Sequence, residues 1–287
     1  EAFRYLKQYV FLSPLPDTPW VNYCIWLTVK NSEEIILDEL KLAKRVGFDA
    51  FYHDATWYAD ASVIPGVNDW TKGLGSYEES KEKFPHGLKD LFDAVHAQGM
   101  RTGIWVDPGV VDIARVESGQ IPSHWLAMID GKEIGCLHSS LTPTKQLCLG
   151  NPEVVAWIKK QLEDIIEKWS LNWIKWDPSA TAGYECDRTD HGHGGSDGAY
   201  AAYCGRLEIM RYLIERFPHL NGFECDPSLH FSRTNPGPRR LLPGGYTNEF
   251  ITGPMFSPAV WASLHTIGTT EATGQRLTGR WYGVSAL

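Results

Sequence analysis

Acidic residues follow several short apolar segments of this chain, and their positions suggest chemistry. In chain order they are Asp54, Asp107, Asp177 and Asp226, with Glu249 on a sixth and weaker segment. If the segments are parallel strands of one barrel, their carboxyl ends converge on the face where such barrels carry their active sites. The carboxylates would then share one pocket, where repulsion and desolvation are costly unless a reaction uses them. Each acid could instead cap a helix or turn a loop, and for any single acid this alternative stays open.

A pair of carboxyl groups on such a face suits the hydrolysis of a glycosidic bond. One carboxylate attacks the anomeric carbon, while the other carboxyl group protonates the leaving oxygen. Residues 173–177, WIKWD, form the most informative segment, because Asp177 follows four strand-like residues and precedes Pro178. Lys175 lies two residues earlier and therefore on the same side of a strand, where its ammonium group would keep Asp177 ionised. A structural salt bridge between the two is the alternative interpretation.

The short apolar segments alternate with amphipathic segments, as in an α/β fold. Strands are predicted at 21–28, 48–57, 102–107, 173–177 and 222–226, with a weaker one at 246–251. Helices are predicted at about 31–47, 87–98, 151–165 and 198–216. This order predicts parallel strands joined by right-handed crossovers, and the absence of a glycine-rich phosphate loop disfavours a dinucleotide-binding fold. We expect a single (β/α) barrel domain over residues 1–287, with a small excursion between 109 and 149.

Composition narrows the classes of partner. The formal net charge of −8 disfavours nucleic acid and anionic membranes as partners, because both need basic surface. No apolar run reaches the roughly 18 residues of a membrane-spanning helix, and we expect no signal peptide. The 12 Trp and 12 Tyr favour a carbohydrate partner, since flat rings stack on sugars, but a Trp-rich core explains them equally well. An oligomer is compatible with the sequence, and the compartment stays open.

The cysteines and histidines give only a weak metal signal. The 6 cysteines show no CxxC spacing, so neither a zinc knuckle nor a redox motif is expected. The loop after WIKWD contains Asp187, Asp190, His191 and His193. Such a group could bind a divalent metal ion, or the glycine-rich loop could line a sugar pocket. We predict no metal ion and no cofactor.

Two long stretches resemble glycoside hydrolase family 36, the α-galactosidases of clan D. Residues 84–105 (FPHGLKDLFDAVHAQGMRTGIW) are similar to the family's second helix and third strand, and residues 151–177 are similar to its fourth helix and nucleophile strand. The resemblance implies a (β/α)8 TIM barrel and a retaining α-glycosidase that acts on a terminal α-linked sugar. It also implies Asp177 as the nucleophile and Lys175 as a contact to sugar hydroxyls.

Some sugar-contacting positions of the second and third strands match the family, and others depart from it. In HDATW, Asp54 matches the second aspartate of the family's pair, while His53 replaces the first and Trp57 is displaced by one residue. Trp57 and Trp105 are near strand ends and are the preferred stacking platforms for a sugar. Core packing is the alternative for both.

Further departures concern carboxylates. In VDPG, Asp107 replaces a glutamate of the family, and Gly109 removes a second carboxylate. In ECDPS, Glu224, Cys225 and Asp226 correspond to a longer Glu-Ser-Cys-Ser run of the family. These residues are expected to contact the substrate, and the altered positions leave galactose specificity open.

The acid/base residue is not given directly by the resemblance. The family uses an Asp in a Trp-Thr-Ser-Asp motif, and no Asp follows Asp226 in this chain. YTNEF (246–250) has a similar pattern, with Glu249 at the acid position, and glutamate can perform the same proton transfer. Asp226 is the other candidate. Without an acid, the barrel would be a glycan-binding protein, and a metal-dependent barrel hydrolase using His191 and His193 is a third possibility.

The end of the chain is expected to be incomplete relative to the family. Residues 273–287 (TGQRLTGRWYGVSAL) resemble the helical region before the family's last strand. This interpretation predicts a barrel without its eighth strand, or a chain that is a fragment of a larger protein.

Overall fold

The computed structural model of the chain describes residues 21–25, 33–61, 69–135, 142–176, 186–217, 219–224, 270–275 and 280–284. The strands are β1 Val21–Ile25, β2 Ala50–His53, β3 Arg101–Val106, β4 Val110–Asp112, β5 Met128–Ile129, β6 Lys132–Glu133, β7 Thr144–Gln146, β8 Trp173–Trp176, β9 Asn221–Glu224, β10 Thr270–Gln275 and β11 Arg280–Val284. The helices are α1 Glu33–Val46, α2 Leu88–Ala97, α3 Ile113–Glu117, α4 Pro152–Trp169 and α5 Gly198–Arg216.

Seven strands form one central sheet in the order β11-β10-β1-β2-β3-β8-β9. All neighbours from β10 to β9 are parallel, and β11 alone runs antiparallel to β10. Within the described ranges no ladder joins β9 to β11, so the sheet is open there. The predicted α/β architecture with parallel strands is confirmed, whereas closure into a barrel stays a prediction.

The helices form where caps and apolar stripes predict them. Asn151 caps α4, because its side chain accepts a hydrogen bond from the N–H of Glu153, and Pro152 occupies the first turn. The helix ends at Ser170 with a left-handed backbone conformation. The apolar residues of α4 lie buried on the face that packs toward the core, and they include Val155, Ile158, Leu162 and Ile165. No helix in the described ranges is both long and apolar enough to cross a bilayer.

The expected excursion is present between β3 and α4. It contains α3, the antiparallel pair β4–β7 and the two-residue ladder β5–β6. Asp112 connects it to the preceding loop, since one carboxylate oxygen caps α3 at the N–H of Ala114 and the other accepts the N–H of Gly73. The excursion is therefore a small ordered layer next to the strand ends.

The helical prediction for residues 273–287 was wrong. Residues 270–275 form β10 and residues 280–284 form β11, and β10 pairs in parallel with β1. Thr, Trp, Tyr and Val are frequent in these two segments and favour extended backbone. The ladder to β1 also satisfies backbone groups that an isolated short helix would leave exposed to water. The predicted strand at 246–251 lies outside the described residues.

One face of the sheet is here called the inner face, and it carries Tyr52, Gly103 and Trp173 side by side on β2, β3 and β8. Gly103 has no side chain, and any larger residue there would overlap the Trp173 indole. The indole therefore lies over the middle strand and meets the Tyr52 ring edge-on, with ring centroids 4.6 Å apart. This aromatic layer is the floor of the region described below.

His53 lies on the opposite face of β2 and is fully buried. Its ring packs edge-on against Phe84 at 5.4 Å, and its Nδ1 lies 2.6 Å from the carbonyl oxygen of Asp54. Burial lowers the pKa of His53 to about 4. The imidazole is therefore neutral at physiological pH and contributes to the apolar packing between the sheet and the helical layer.

The first prediction concerns acid stability. Because the pKa of His53 falls from 6.5 unfolded to about 4 folded, the unfolded chain binds the extra proton first as the pH falls. The stabilisation is complete above about pH 6.5 and is lost toward pH 4, which makes His53 responsible for about 2–3 kcal/mol of the fall in unfolding free energy from pH 7 to 4.5. Urea unfolding at both pH values should show a smaller fall in His53→Gln. The exposed His219→Gln should behave like the parent chain, and an equal fall in all three proteins would contradict the assignment.

Candidate active site

A buried ion pair lies at the carboxyl ends of β2 and β8. The ammonium nitrogen of Lys175 is 3.1 Å from the Oδ2 atom of Asp54 and donates a hydrogen bond of 3.1 Å to the hydroxyl of Tyr52. The Lys175 and Asp54 side chains are 8% and 3% exposed, so neither charge is solvated as it would be in water. The other oxygen of Asp54 accepts the N–H of Ala55 at 2.8 Å. Both charges are thus held in fixed positions.

Alternation along the strands brings these groups together. Tyr52 and Asp54 are two residues apart, as are Trp173 and Lys175, so each pair lies on the inner face. Lys175 is in register with Trp105 of β3, and its ammonium group reaches past that strand to Asp54. The structure therefore brings Asp54 and Lys175 together at one edge of the sheet, and the expected pairing of Lys175 with Asp177 stays a prediction. Asp177 lies outside the described residues.

The two predicted stacking residues lie next to each other. The indole N–H of Trp57 donates to the carbonyl oxygen of Trp105 at 2.8 Å. The Trp57 ring packs edge-on against Trp169 of α4 at 5.3 Å, and Trp105 packs edge-on against Trp70 at 5.7 Å. Both indoles are almost fully buried. Much of each ring therefore serves core packing, the alternative that the sequence left open.

A small hollow is lined by Trp57 and Trp105. Asp107 lines it directly after β3, together with the phenol groups of Tyr58 and Tyr77. Burial raises the pKa of both tyrosines well above the ordinary value, and the neighbouring Asp107 carboxylate adds to this. The phenols thus stay protonated, and the hollow combines neutral aromatic walls with one carboxylate.

Several predicted site residues are not described structurally. Glu249, Cys225 and Asp226 lie outside the described residues, as Asp177 does. Glu224 ends β9, and its backbone pairs with Trp176 at the end of β8. Trp176 and Glu224, the last residues of β8 and β9, therefore lie next to each other at the same edge of the sheet. His53, which replaces the first aspartate of the family pair, faces away from Lys175.

Sequence reasoning missed two features of the structure. Tyr52 was not singled out, although the same alternation that links Asp54 to the inner face also applies to it. The second feature is a group of two thiols and two imidazoles, formed by Cys148, Cys186, His191 and His193. Of the acids expected beside these histidines, Asp190 lies 3.8 Å from His191 Nδ1, and neither Asp187 nor Asp190 belongs to the group of four.

Several of the known proteins that the chain resembles are named α-galactosidases. The Melibiase family model matches residues 26–240. An α-galactosidase of Lactobacillus acidophilus is 26% identical over 229 residues, which are 78% of this chain and 27% of the relative. An α-galactosidase of Escherichia coli is 24% identical over 226 residues, or 77% of this chain and 29% of the relative. The chain spans less than a third of the length of these curated relatives.

Solved structures of α-galactosidases share the fold of this chain. A variant of the GH36 α-galactosidase AgaA from Geobacillus stearothermophilus, in complex with stachyose, has a TM-score of 0.65 at 18% identity, covering 94% of this chain and 37% of that one. The α-galactosidase from Lactobacillus brevis has a TM-score of 0.58 at 23% identity, covering 72% of this chain and 27% of that one. Since the family match covers most of the chain, the protein belongs to the Melibiase family, that of the glycoside hydrolase family 36 α-galactosidases.

Proposed function

We propose that the chain is the catalytic barrel of a retaining α-glycosidase that releases terminal α-linked galactose. The observation that carries the proposal is the buried Lys175–Asp54 pair, which stands at the carboxyl ends of parallel strands in a chain of this family. Relatives are named α-galactosidases, and solved neighbours contain raffinose or stachyose. Both sugars are ligands of those proteins, and we propose the same class of oligosaccharide for this chain.

We propose that the sheet belongs to a (β/α)8 barrel within one catalytic domain over residues 1–287. The parallel pairing of β10 with β1 supports this, because the last strand of a closed barrel must pair in parallel with the first. The eighth strand, which the sequence analysis expected to be missing, would then be β10. The relatives are longer proteins, so this domain would be part of a larger chain.

The ion pair has a direct role in this proposal. A buried charge pair compensates its desolvation only with good geometry and further hydrogen bonds, which Tyr52 and the N–H of Ala55 provide here. The carboxylate offers acceptors and the ammonium offers donors, so together they suit adjacent hydroxyls of one sugar ring. Trp57 and Trp105 would form the apolar wall beside that ring, with Asp107 at its edge.

The proposed reaction is a double displacement. Asp177 follows β8 directly and attacks the anomeric carbon, while Glu249 protonates the leaving oxygen and then activates water against the glycosyl-enzyme. Asp226 is the alternative acid/base, and Glu224 and Cys225 are proposed substrate contacts beside it. Retention requires the two catalytic carboxyl groups to lie roughly 5–5.5 Å apart. No resident cofactor is needed for these steps.

A second candidate is a barrel that binds glycans without hydrolysing them. The neutral and buried His53, in place of an aspartate of the family, favours it. The absence of any Asp after position 226 also favours it. The two candidates differ on aryl galactosides, because an activated leaving group needs little acid assistance and only an enzyme releases the phenol.

The second prediction tests the nucleophile. Asp177→Gly should reduce hydrolysis of 4-nitrophenyl α-galactoside by several orders of magnitude, because the covalent intermediate is not formed. Added azide can occupy the vacated space and should yield the β-galactosyl azide, identified by NMR. Asp164→Asn, which changes an exposed acid of α4, should leave turnover unchanged. Full activity of Asp177→Gly without azide would exclude Asp177 as the nucleophile.

The third prediction identifies the acid/base residue. Removing the true acid should lower kcat/KM for raffinose by about 10²–10⁴-fold and affect the activated aryl galactoside much less. We expect this pattern for Glu249→Gln. For Asp226→Asn we expect kcat/KM to fall by a similar factor on both substrates. If Asp226→Asn shows the raffinose-selective loss and Glu249→Gln does not, Asp226 is the acid. Equal losses on both substrates in both variants would mean that neither residue protonates the leaving group.

The fourth prediction concerns the ion pair itself. Lys175→Met and Asp54→Leu should each destabilise the fold by about 3–5 kcal/mol, because each removes one member of a buried, hydrogen-bonded charge pair. The double variant should lose much less than the sum, as a urea-unfolding cycle would show. Lys41→Met breaks an exposed pair with Asp38 and should cost at most about 1 kcal/mol. Additive losses in the cycle would show that the two charges do not interact.

A further inference from the structure

Two thiols and two imidazoles converge between the start of α4 and the loop after β8. Each of Cys148, Cys186, His191 and His193 offers one ligand atom, and these atoms all lie within 4.8 Å of one another. The Cys148 sulfur is 3.2 Å from His193 Nε2, and the Cys186 sulfur is 3.5 Å from His191 Nε2. We refer to these four residues as the Cys2His2 cluster.

The spacing within the Cys2His2 cluster is close to that of a tetrahedral zinc site. Zinc–sulfur and zinc–nitrogen bonds of about 2.3 and 2.05 Å place the ligand atoms of a tetrahedron about 3.4–3.8 Å apart. The two sulfur–nitrogen distances of 3.2 and 3.5 Å approach this range. The widest separation, within 4.8 Å, needs only a small contraction.

The imidazoles are oriented as metal ligands are. His191 Nδ1 lies 3.0 Å from the carbonyl oxygen of His124, and His193 Nδ1 lies 2.7 Å from that of Gly194. A carbonyl can only accept, so Nδ1 carries the hydrogen in both rings and the lone pair of each Nε2 faces a thiol. Metal-bound histidines commonly donate their second N–H to a backbone carbonyl in this way, which fixes the tautomer and the ring orientation.

Two glycines allow the backbone around the Cys2His2 cluster to pack closely against its side chains. Gly192, between the two histidines, has a φ of +82°, a conformation that favours glycine. A side chain at Gly150 would begin 2.7 Å from the His193 ring, so glycine is needed for this close approach. The two histidine side chains are only 4% and 1% exposed, and both cysteines are buried. The four groups are thus presented to one another in a nearly closed space.

We propose that the Cys2His2 cluster binds one Zn²⁺ as a closed structural site. Thiolate and imidazole are the ligands that select zinc rather than magnesium or calcium. Four protein ligands complete the tetrahedron and leave no open position for water or substrate, so the ion has a structural role and a metal-dependent hydrolase is disfavoured. This replaces the sequence-based expectation that the chain binds no metal ion.

The neighbouring acids contribute no ligand atom to the Cys2His2 cluster, although carboxylate oxygens of Asp190 and Asp197 lie 3.8 and 3.9 Å from the Nδ1 atoms of His191 and His193. Asp190 pairs with the guanidinium of Arg188, and the carboxylate of Asp187 accepts the N–H of Asp130. The Asp187 contact fastens the loop to the β5–β6 excursion. Burial, assisted by the adjacent Cys186, raises the pKa of Cys148 above that of an ordinary thiol. Zinc binding would therefore displace thiol protons into solvent.

The fifth prediction is the zinc content of the purified chain. The chain, produced without a metal-binding tag and kept reduced, should contain about one zinc per molecule by mass spectrometry of the metal. Cys148→Ser and His193→Gln should lose that zinc. Cys204→Ser removes an exposed free thiol outside the Cys2His2 cluster and should retain it.

A cobalt experiment keeps the proposal testable if the variants fail to fold. Exchange of Co²⁺ into the unaltered chain should give intense visible absorption of a tetrahedral site and a sulfur-to-cobalt charge-transfer band, and chelation should lower the melting temperature. A chain that binds neither zinc nor cobalt after reduction and reconstitution would overturn the proposal. So would a Cys148–Cys186 disulfide found by mass spectrometry in freshly isolated protein. Neither result depends on glycosidase activity.

Discussion

The arrangement of the candidate site depends on one buried charge pair that bridges β2 and β8 across the intervening strand. Lys175 and Asp54 are removed from water, and such a pair is tolerated only where geometry and further hydrogen bonds offset desolvation. This constraint fixes the register of the three strands, because a shift by one residue would turn either charge toward the opposite, apolar face. The aromatic floor formed by Tyr52 and Trp173 depends on the same register. Gly103 allows that floor to form, since a side chain there would occupy the space of the indole.

Much of the fold could be predicted because its signals are local. The cap at Asn151, the proline that follows it and the buried stripe of α4 lie within one segment, and each is visible in the sequence. The parallel order follows from the alternation of strands and helices. The last two strands could not be predicted in this way, because β10 is stabilised by pairing with β1, about 250 residues earlier. The family analogy pointed to a helix, whereas the threonine and aromatic content pointed to strands.

The candidate site, like the fold, could be predicted where its signals are local and not where they depend on contacts between distant residues. Asp54 and Lys175 could be predicted because strand alternation and the ends of parallel strands define where such side chains meet. Their direct contact was not predicted, because it joins β2 to β8 across β3 and the two residues are 121 positions apart in the sequence. The Cys2His2 cluster was hidden for a similar reason. His191 and His193 are a local signal, but Cys148 joins them only because α4 packs against α5 and because Gly150 and Gly192 allow close approach.

The Lys175–Asp54 ion pair and the Cys2His2 cluster constrain the chain between β8 and α5 from opposite ends. Lys175 is held in β8 by its ion pair, and Cys186, His191 and His193 fasten the return of the chain toward α5. Asp177, the proposed nucleophile, lies in sequence between these fixed points. A nucleophile must be positioned to a fraction of an ångström, and displacement by about 1 Å can reduce the rate a hundredfold. A loop that leaves the strand directly after its nucleophile would transmit any motion to that residue. Anchoring both ends of the segment, by a buried ion pair on one side and by a proposed zinc ion on the other, would limit that motion without adding a group to the reaction itself.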